Sequence, residues 1–469
     1  MMEMENDNAA CGLKTVWKHS VLRPWLWAFA IGLLLRLGVA LPGLCSGDWE
    51  RFCRPDSYGY LVPAHGLIND GTFSADGVPT AVRAPGFSWL AAAVLKLSGG
   101  EWKEFADLGS AAPGGLCLLL VFFNALMIPL CGLAAKELFG DRAGIVAAWL
   151  AALNPTALVQ APMMLSDTLF GLFAAVQFYL VVLGWKRRSM PFFLAGICVA
   201  AAGALIRPIN SVWLAPGLVL LAFLPESDWK KKFRTGVLAV ICWAVILCPW
   251  MLRNSMIGSG FCIDTNTGSM YHQNGAVLLA AVNGTDYESE KQKILRKLET
   301  EFQDKTKYPT VAHQCRYRKE AYRKLIMAHP LRWFVQQFQW KVCLPDLPTG
   351  FELLGLTKSD RGTFNVLKTK GLYAAVNHYF DGKLHLLFPA LPLLAAHGVL
   401  LIGAAYMLVM LLRDFRKNLF LLLLFLAMAE YYIFLPGSMT VPRYLLPALP
   451  LLAAFAGGAI GRCKNVTSC

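Results

Sequence analysis

Charge is scarce in this chain. Of its 469 residues only 16% are Asp, Glu, Lys or Arg, while 56% are hydrophobic, and the mean hydropathy is +0.47. A soluble globule of that length needs more polar surface than this, so that class is excluded. Acid is scarcer than base, 30 residues against 44. No CxxC pair and no His/Cys cluster with zinc spacing occurs, so a structural metal has no support. There is no glycine-rich phosphate loop, internal repeat or low-complexity tract, which leaves P-loop nucleotide chemistry and repeat architectures without a signal. Of the 13 cysteines, Cys117, Cys131, Cys198, Cys242 and Cys248 fall in long apolar runs and behave as small apolar residues. Cys45 and Cys53 lie close together in the loop after the first apolar run, where an oxidising compartment could bridge them.

Long apolar runs are abundant. A hydrocarbon core about 30 Å thick needs roughly 20 apolar residues per helix. Ten stretches answer to that, near 24–44, 113–135, 143–161, 166–185, 191–206, 209–224, 235–252, 386–412, 418–435 and 441–461. Arg207-Pro208 interrupts one long run and is taken as a turn. The expectation is an all-α polytopic membrane protein of about ten transmembrane helices, with outer-face juxtamembrane helices and a helical outer region. The first helix is long, contains Arg36 and lacks a clean small-residue cleavage site, so it reads as an uncleaved anchor.

Short cytoplasmic loops collect Lys and Arg. With the N-terminus cytoplasmic, Lys14, Lys18, Arg23, Lys136, Arg142, Lys186, Arg187 and Arg188 fall on that side. So do Lys230, Lys231, Lys232, Arg234, Arg413, Arg416, Lys417, Arg462 and Lys464. The net charge of +14 is then largely topological, and nucleic acid binding is not implied.

Three units follow: 1–252, with a large outer loop at 45–112; an extracytoplasmic, mainly helical region at 253–383; and C-terminal transmembrane helices at 384–469. In the first loop, Phe87 to Leu97 is apolar but too short to span, so it should lie along or dip into the membrane. In the second unit, Ile294, Leu298 and Phe302 recur every four residues, which predicts an amphipathic helix over 286–304. A second helix, over 311–343, mixes aromatic with basic residues. That pattern suits the membrane surface, and it equally suits packing on the region's own small core.

Ionisable groups in or beside spanning helices are disfavoured and usually have a reason. With the topology above, Asp56, Arg83, Asp167, Arg207, Arg253, Glu430 and Arg443 all fall near the outer face, although they come from widely separated parts of the chain. Each alone could be a headgroup contact or a helix cap; as a group they point to one outward-facing polar cavity. Tyr58 and Tyr60 could line it, since aromatic faces suit pyranose rings.

The order of these motifs resembles a known superfamily. Asp56-Ser57-Tyr58-Gly59-Tyr60 follows the first helix, then come Arg83-Ala84-Pro85-Gly86, Ser166-Asp167, Arg207-Pro208, Pro249-Trp250-Met251-Leu252-Arg253-Asn254 and Pro442-Arg443-Tyr444. This resembles the GT-C membrane glycosyltransferases, in the branch of the bacterial protein O-mannosyltransferases and the lipid A aminoarabinose transferase. The resemblance implies transfer of a hexose or pentose from a polyprenyl-phosphate carrier to an acceptor hydroxyl of a glycan, lipid or protein. It implies an inverting reaction at the extracytoplasmic face of a bacterial inner membrane, with Asp56 as general base. Arg83, Arg253 and Arg443, with Arg207 behind them, would bind the donor phosphate; Tyr58, Tyr60, Asp167 and Glu430 would support. Ser57 stands where the protein O-mannosyltransferases carry a second acid, which argues against a protein hydroxyl as acceptor. No cofactor is implied; a divalent cation between acid and phosphate is compatible, though no motif demands one. The rivals are a transporter or flippase for lipid-linked sugars, favoured by Arg36 deep in the first helix, and an assembly subunit without catalysis.

Overall fold

A computed structural model describes residues 6–48, 50–97, 114–224, 228–357 and 362–463. The first described helix is α1 (Asn6–Ser46), followed by α2 (Pro55–Asn69), a hairpin of two-residue strands β1 (Ser74–Ala75) and β2 (Val78–Pro79), and α3 (Gly86–Leu97). Next come α4 (Gly114–Phe139), α5 (Asp141–Ala152), α6 (Pro155–Gln160), α7 (Ser166–Lys186), α8 (Met190–Ala204), α9 (Leu214–Ala222) and α10 (Trp229–Met256). Then follow α11 (Asn274–Asn283), α12 (Tyr287–Gln303), α13 (Val311–Ala328), α14 (Pro330–Gln337), α15 (Leu347–Leu353) and α16 (Thr363–Tyr379). The chain returns through α17 (Leu387–Arg413), α18 (Phe415–Phe425), α19 (Tyr431–Phe434) and α20 (Leu449–Cys463).

The protein is an all-helical integral membrane protein. Six described stretches are long and apolar enough to cross a membrane: Pro24–Ser46, Gly114–Phe139, Ser166–Lys186, Trp229–Met256, Leu384–Arg413 and Phe415–Phe434. The other four expected spans form shorter helices, and proline is the main reason. The 143–161 stretch breaks at Asn154-Pro155: Pro155 has no N–H to continue α5, and Asn154 Oδ1 caps α6 by accepting from the Ala157 N–H at 2.9 Å. Pro208 likewise stops the chain after α8 and opens a 3-10 turn before α9. The helix expected over 311–343 also divides, at His329-Pro330, into α13 and α14.

The core is built around α20, which packs against α4, α5 and α17. Its Leu451, Ala453, Ala454, Phe455 and Ala456 are fully buried; small side chains let the neighbouring backbones approach closely. By contrast α10 shows Val237, Leu238, Val240, Ile241 and Val245 on its outer side, as a lipid-facing helix does. Arg36 of α1 is inside this core, hydrogen-bonded to Asn124 and to the carbonyls of Gly32, Ala151 and Ala152.

Outside the bundle, the face expected on α12 forms a small core: Ile294 and Leu298 are buried with Tyr271 and Ala276. Tyr322 of α13 packs on this core, whereas Leu331 and Val335 of α14 are exposed. Packing on the region's own core therefore holds for the first half of the 311–343 stretch, while the second half leaves apolar side chains exposed. Cys45 and Cys53 are not bridged: the first is exposed, and the second is buried beside Met164.

Candidate active site

The N-terminus of α2 begins with Arg54, whose backbone N–H donates to Ser57 Oγ at 2.9 Å in a capping box. Ser57 is thus committed to closing the helix. Asp56 then sits in the first turn, where the helix dipole favours a negative charge. Arg54 turns away to Glu352 of α15 at 3.2 Å, so it does not neutralise Asp56.

Two arginines from distant segments do. Arg83 Nη2 donates to Asp56 Oδ1 at 2.8 Å, and Arg443 Nη2 donates to Asp56 Oδ2 at 2.6 Å. Arg443 Nε also lies 3.8 Å from Asp167 Oδ2 in the first turn of α7, and Arg207 donates to Asp167 Oδ1. Five segments thus form one chain of charge: Arg83, Asp56, Arg443, Asp167, Arg207. Three guanidiniums face two carboxylates, which leaves the cluster with a net positive charge. Arg83 Nε and Arg443 Nε are buried without a hydrogen-bond partner, so neither fork has spent all its donors.

Glycine makes this convergence physically accessible. A Cβ on Gly59 would meet Arg83 Nε at 2.8 Å, and one on Gly86 would meet the Leu205 carbonyl oxygen at 2.9 Å. The bare backbone at Gly86 lets its N–H donate to Leu205 O at 2.7 Å, which pins the Arg83 segment to the one carrying Arg207.

The surroundings are aromatic. Arg83 lies over the Tyr60 ring at 5.0 Å, and Arg207 over the Tyr444 ring at 4.9 Å. The Tyr60 hydroxyl accepts from Ser166 Oγ at 2.9 Å, tying α2 to α7 beside Asp167. Partial burial pushes the Asp56 pKa up, but the Arg443 and Arg83 guanidiniums outweigh it and hold the carboxyl below its ordinary value. The Asp56 side chain keeps 45% of its surface exposed, so a charged acceptor is presented to incoming groups.

A cavity of about 780 Å³ opens beside this cluster, with Tyr60, Arg83, Arg207 and Tyr444 on its wall. It continues along α10 past Trp243 and Leu247 to Val240, which also lines an apolar groove between α9 and α10 ending near Lys232.

Arg253 is not brought into the cluster. Its guanidinium donates to the carbonyls of Thr80 (2.5 Å) and Phe73 (2.7 Å) and lies over the Trp250 ring at 4.8 Å. Beside it, Trp250 Nε1 donates to Ile263 O at 2.8 Å, and Asn254 Nδ2 to Cys262 O at 2.9 Å. The Pro-Trp-x-x-Arg-Asn motif therefore clamps the first-loop hairpin and the 262–263 strand of backbone against α10. Tyr58 is exposed and does not line the cavity. The Glu430 side chain lies outside the described residues. Among the described residues no three His, Cys, Asp or Glu side chains gather as metal ligands, and both oxygens of Asp56 are held by arginine.

Tyr444 and Gly59 carry weight that sequence reasoning did not assign them. Both stood inside quoted motifs, next to residues that were singled out.

Residues 82–252 match the dolichyl-phosphate-mannose-protein mannosyltransferase family. A search of curated protein sequences finds no match. Among solved structures, the oligosaccharyltransferase of Archaeoglobus fulgidus tethered to an acceptor peptide aligns with a TM-score of 0.51 at 15% identity, covering 94% of this chain and 50% of that one. The same organism's enzyme AglB in complex with an inhibitory peptide and dolichol-phosphate gives 0.50 at 16% identity, again over 94% and 50%. ArnT from Cupriavidus metallidurans bound to undecaprenyl phosphate gives 0.46 at 15%, over 93% and 60%. This chain thus spans about half the length of the oligosaccharyltransferases it matches. The matched family and the fold agree with the GT-C superfamily to which the motif order pointed.

Proposed function

We propose that this protein is a membrane glycosyltransferase that moves a sugar from a polyprenyl-phosphate carrier to an acceptor hydroxyl. The single observation that carries this reading is the alternating cluster of three arginines and two carboxylates, of which Arg83 and Arg207 line a cavity that shares Val240 with an apolar groove. The family match over 82–252 and the carriers named in the neighbours, dolichol-phosphate and undecaprenyl phosphate, support the same class of donor.

In this reading the polyprenyl tail lies along α9 and α10, and its phosphate meets Arg83, Arg207 and Arg443. Arginine forks match phosphate oxygens and gain strength in a water-poor site. The acceptor oxygen attacks the anomeric carbon and its proton passes to Asp56. The bond from that carbon to the phosphate oxygen breaks, and polyprenyl phosphate leaves with the electron pair. A single displacement inverts the anomeric centre. The two arginines that now depress the basicity of Asp56 are the ones the phosphate would engage, so donor binding would free the carboxylate as a base in the complex that needs it. Arg253 acts as a positioning residue for the first loop, and Asp167 holds Arg207 and Arg443 in place.

The site lies at the N-terminal end of α7, while the Arg187–Glu137 ion pair (2.8 Å) marks the opposite end. Twenty-one helical residues separate them, about 30 Å. Basic loops at that far end support a cytoplasmic N-terminus and an extracytoplasmic site; the bacterial inner membrane rests on the motif resemblance.

Purified protein in lipid nanodiscs, given polyprenyl-phosphate hexoses and pentoses with a mixed pool of envelope glycolipids, should release free polyprenyl phosphate and yield a product heavier by one sugar in mass spectrometry. Absence of carrier release from every donor, in preparations that bind polyprenyl phosphate, would defeat the assignment in favour of a carrier-binding transporter.

A further inference from the structure

The cavity has two unlike walls. One is apolar and belongs to α10, through Trp243, Leu247 and Met251; the other is polar and belongs to the segment after it, through Asp264, Asn266, Thr267, Gln273 and Asn274. Asp264 is the unusual member. It is only 7% exposed, accepts a hydrogen bond from Thr267 Oγ1 at 2.6 Å, and among the described residues enters no ion pair. A buried carboxylate without a cation is costly and calls for donors from elsewhere. Burial pushes its pKa up, while the Thr267 hydroxyl and backbone N–H and, at longer range, Arg83 and Lys319 act in the other direction.

Its position is fixed against the segment that carries Arg83. Thr265, the next residue, donates its backbone N–H to Ala81 O at 2.8 Å and its hydroxyl to the same oxygen at 3.3 Å. Ala81 lies two residues before Arg83, so the carboxylate and the phosphate-facing arginine are held in one frame. At the other end of the segment, Asn274 Nδ2 donates to Pro436 O at 3.0 Å, which ties it to the chain leading to Arg443. A phosphate held at Arg83 would present the group attached to it against this polar wall.

We infer that Asp264 and the wall it anchors form the recognition surface for the donor's sugar, with the Asp264 carboxylate accepting hydrogen bonds from sugar hydroxyls. The inference rests on the lipid-phosphate donor proposed above. Sugar hydroxyls supply donors that leave a buried carboxylate satisfied without neutralising it, and the apolar wall opposite takes the carrier's first isoprene units.

The test compares bare polyprenyl phosphate with its hexosyl, pentosyl and amino-sugar esters as ligands for wild type and Asp264→Asn in nanodiscs. Wild type should bind at least one ester more tightly than the bare carrier. Asp264→Asn should bind the bare carrier within twofold of wild type while losing tenfold or more for that ester. Equal losses for both ligands, or no loss for either, would overturn the inference. A measurement on wild type alone guards against a variant that does not fold: the ester, and not the bare carrier, should slow amide hydrogen exchange across residues 262–274. Equal protection by both ligands counts against the inference. Wild type that binds the bare carrier but favours no ester overturns sugar recognition here while leaving the lipid-phosphate reading intact, whereas wild type that binds neither removes both.

Discussion

Arg36 and Arg443 are both arginines withdrawn into the protein, and they are held in opposite ways. Arg36 is 1% exposed and meets only neutral acceptors: Asn124 Oδ1 at 2.7 Å, Gly32 O at 2.9 Å, and the carbonyls of Ala151 and Ala152 at 3.2 Å. The last two close α5, where carbonyls have no helical partner and the dipole is negative. Arg443 instead bridges two carboxylates beside an open cavity and keeps an unspent N–H. The first arginine completes a helix end; the second belongs to a balance of charges that an anion could shift. A buried charge alone therefore says little about function, and its partners say more. Arg36 was the feature that favoured a transporter, and its bonds to fixed protein acceptors explain it without a transport path.

The largest effect expected from breaking this contrast is at Asp56. Asp56→Asn keeps the shape and removes the proton acceptor, so turnover should fall about 10²- to 10⁴-fold in a single-turnover transfer assay. Binding of bare polyprenyl phosphate should persist or tighten, because Arg83 and Arg443 lose their competing anion. Loss of binding together with turnover would recast Asp56 as a structural counter-ion. Arg443→Gln should act in the reverse sense. Removing one charge-assisted fork, about 1.5–3 kcal/mol, weakens carrier binding by roughly ten- to a hundredfold, and Arg443→Lys should restore only part of it, since an ammonium cannot make the forked contact.

The pH dependence sharpens the same point. The two guanidiniums hold Asp56 below its ordinary pKa, near 3.9 for a free aspartate, so the carboxylate stays charged into acid. Its contribution to stability is present above the unfolded-state value and is lost as pH falls through the lower folded value. Arg83→Gln removes one of the two cations. The acid limb of kcat/KM, which reports the free enzyme before phosphate engages the arginines, should then move to higher pH by about one unit, and an unmoved limb would mean that Asp56 does not titrate in catalysis.

How much of this was legible in the sequence follows the same division. Apolar length, proline breaks and basic loops describe local physics, so the helices, the break at Arg207-Pro208 and the amphipathic α12 could be read directly. Asp56, Arg83, Arg207 and Arg443 could be singled out as charges where charge is expensive. What spacing does not carry is which acceptor each fork will find. Arg253 shares the residue type and depth of the others, yet it spends its donors on Thr80 and Phe73 carbonyls, and only the path of the first-loop hairpin decides that. Asp264 was invisible for the same reason: a lone acid after α10 has no pattern until Thr265 is seen tied to Ala81. The break at His329-Pro330 was legible and was passed over, because the aromatic and basic run continued across it.

If Arg253 is a clamp, its replacement should cost less than that of Arg443. Arg253→Lys keeps the charge and loses the two-pronged hold on the loop, a deficit of about one hydrogen bond, which is worth roughly fivefold. It should raise the KM for the lipid donor with little change in kcat, and adding salt should not alter the ratio to wild type. A loss as deep as that of Arg443→Gln would return Arg253 to the phosphate site.

The smallest effect on chemistry is expected at Arg36, and it is the most informative about the contrast. Arg36→Leu leaves the Ala151 and Ala152 carbonyls and Asn124 Oδ1 buried without their donor, at about 1–3 kcal/mol for each group left unmet. The thermal midpoint and the folded yield should drop, measured by fluorescence-detected size exclusion after heating. Turnover per folded molecule should stay within twofold of wild type, because none of Arg36's partners touches the cavity. There is one route by which this could fail. Asn124 Nδ2 donates to Thr168 Oγ1 at 3.3 Å, and Thr168 follows Asp167 in the first turn of α7. Should turnover per folded molecule drop tenfold or more, the Arg36 network would be setting the position of Asp167, and the two arginines would be ends of one system rather than examples of two kinds.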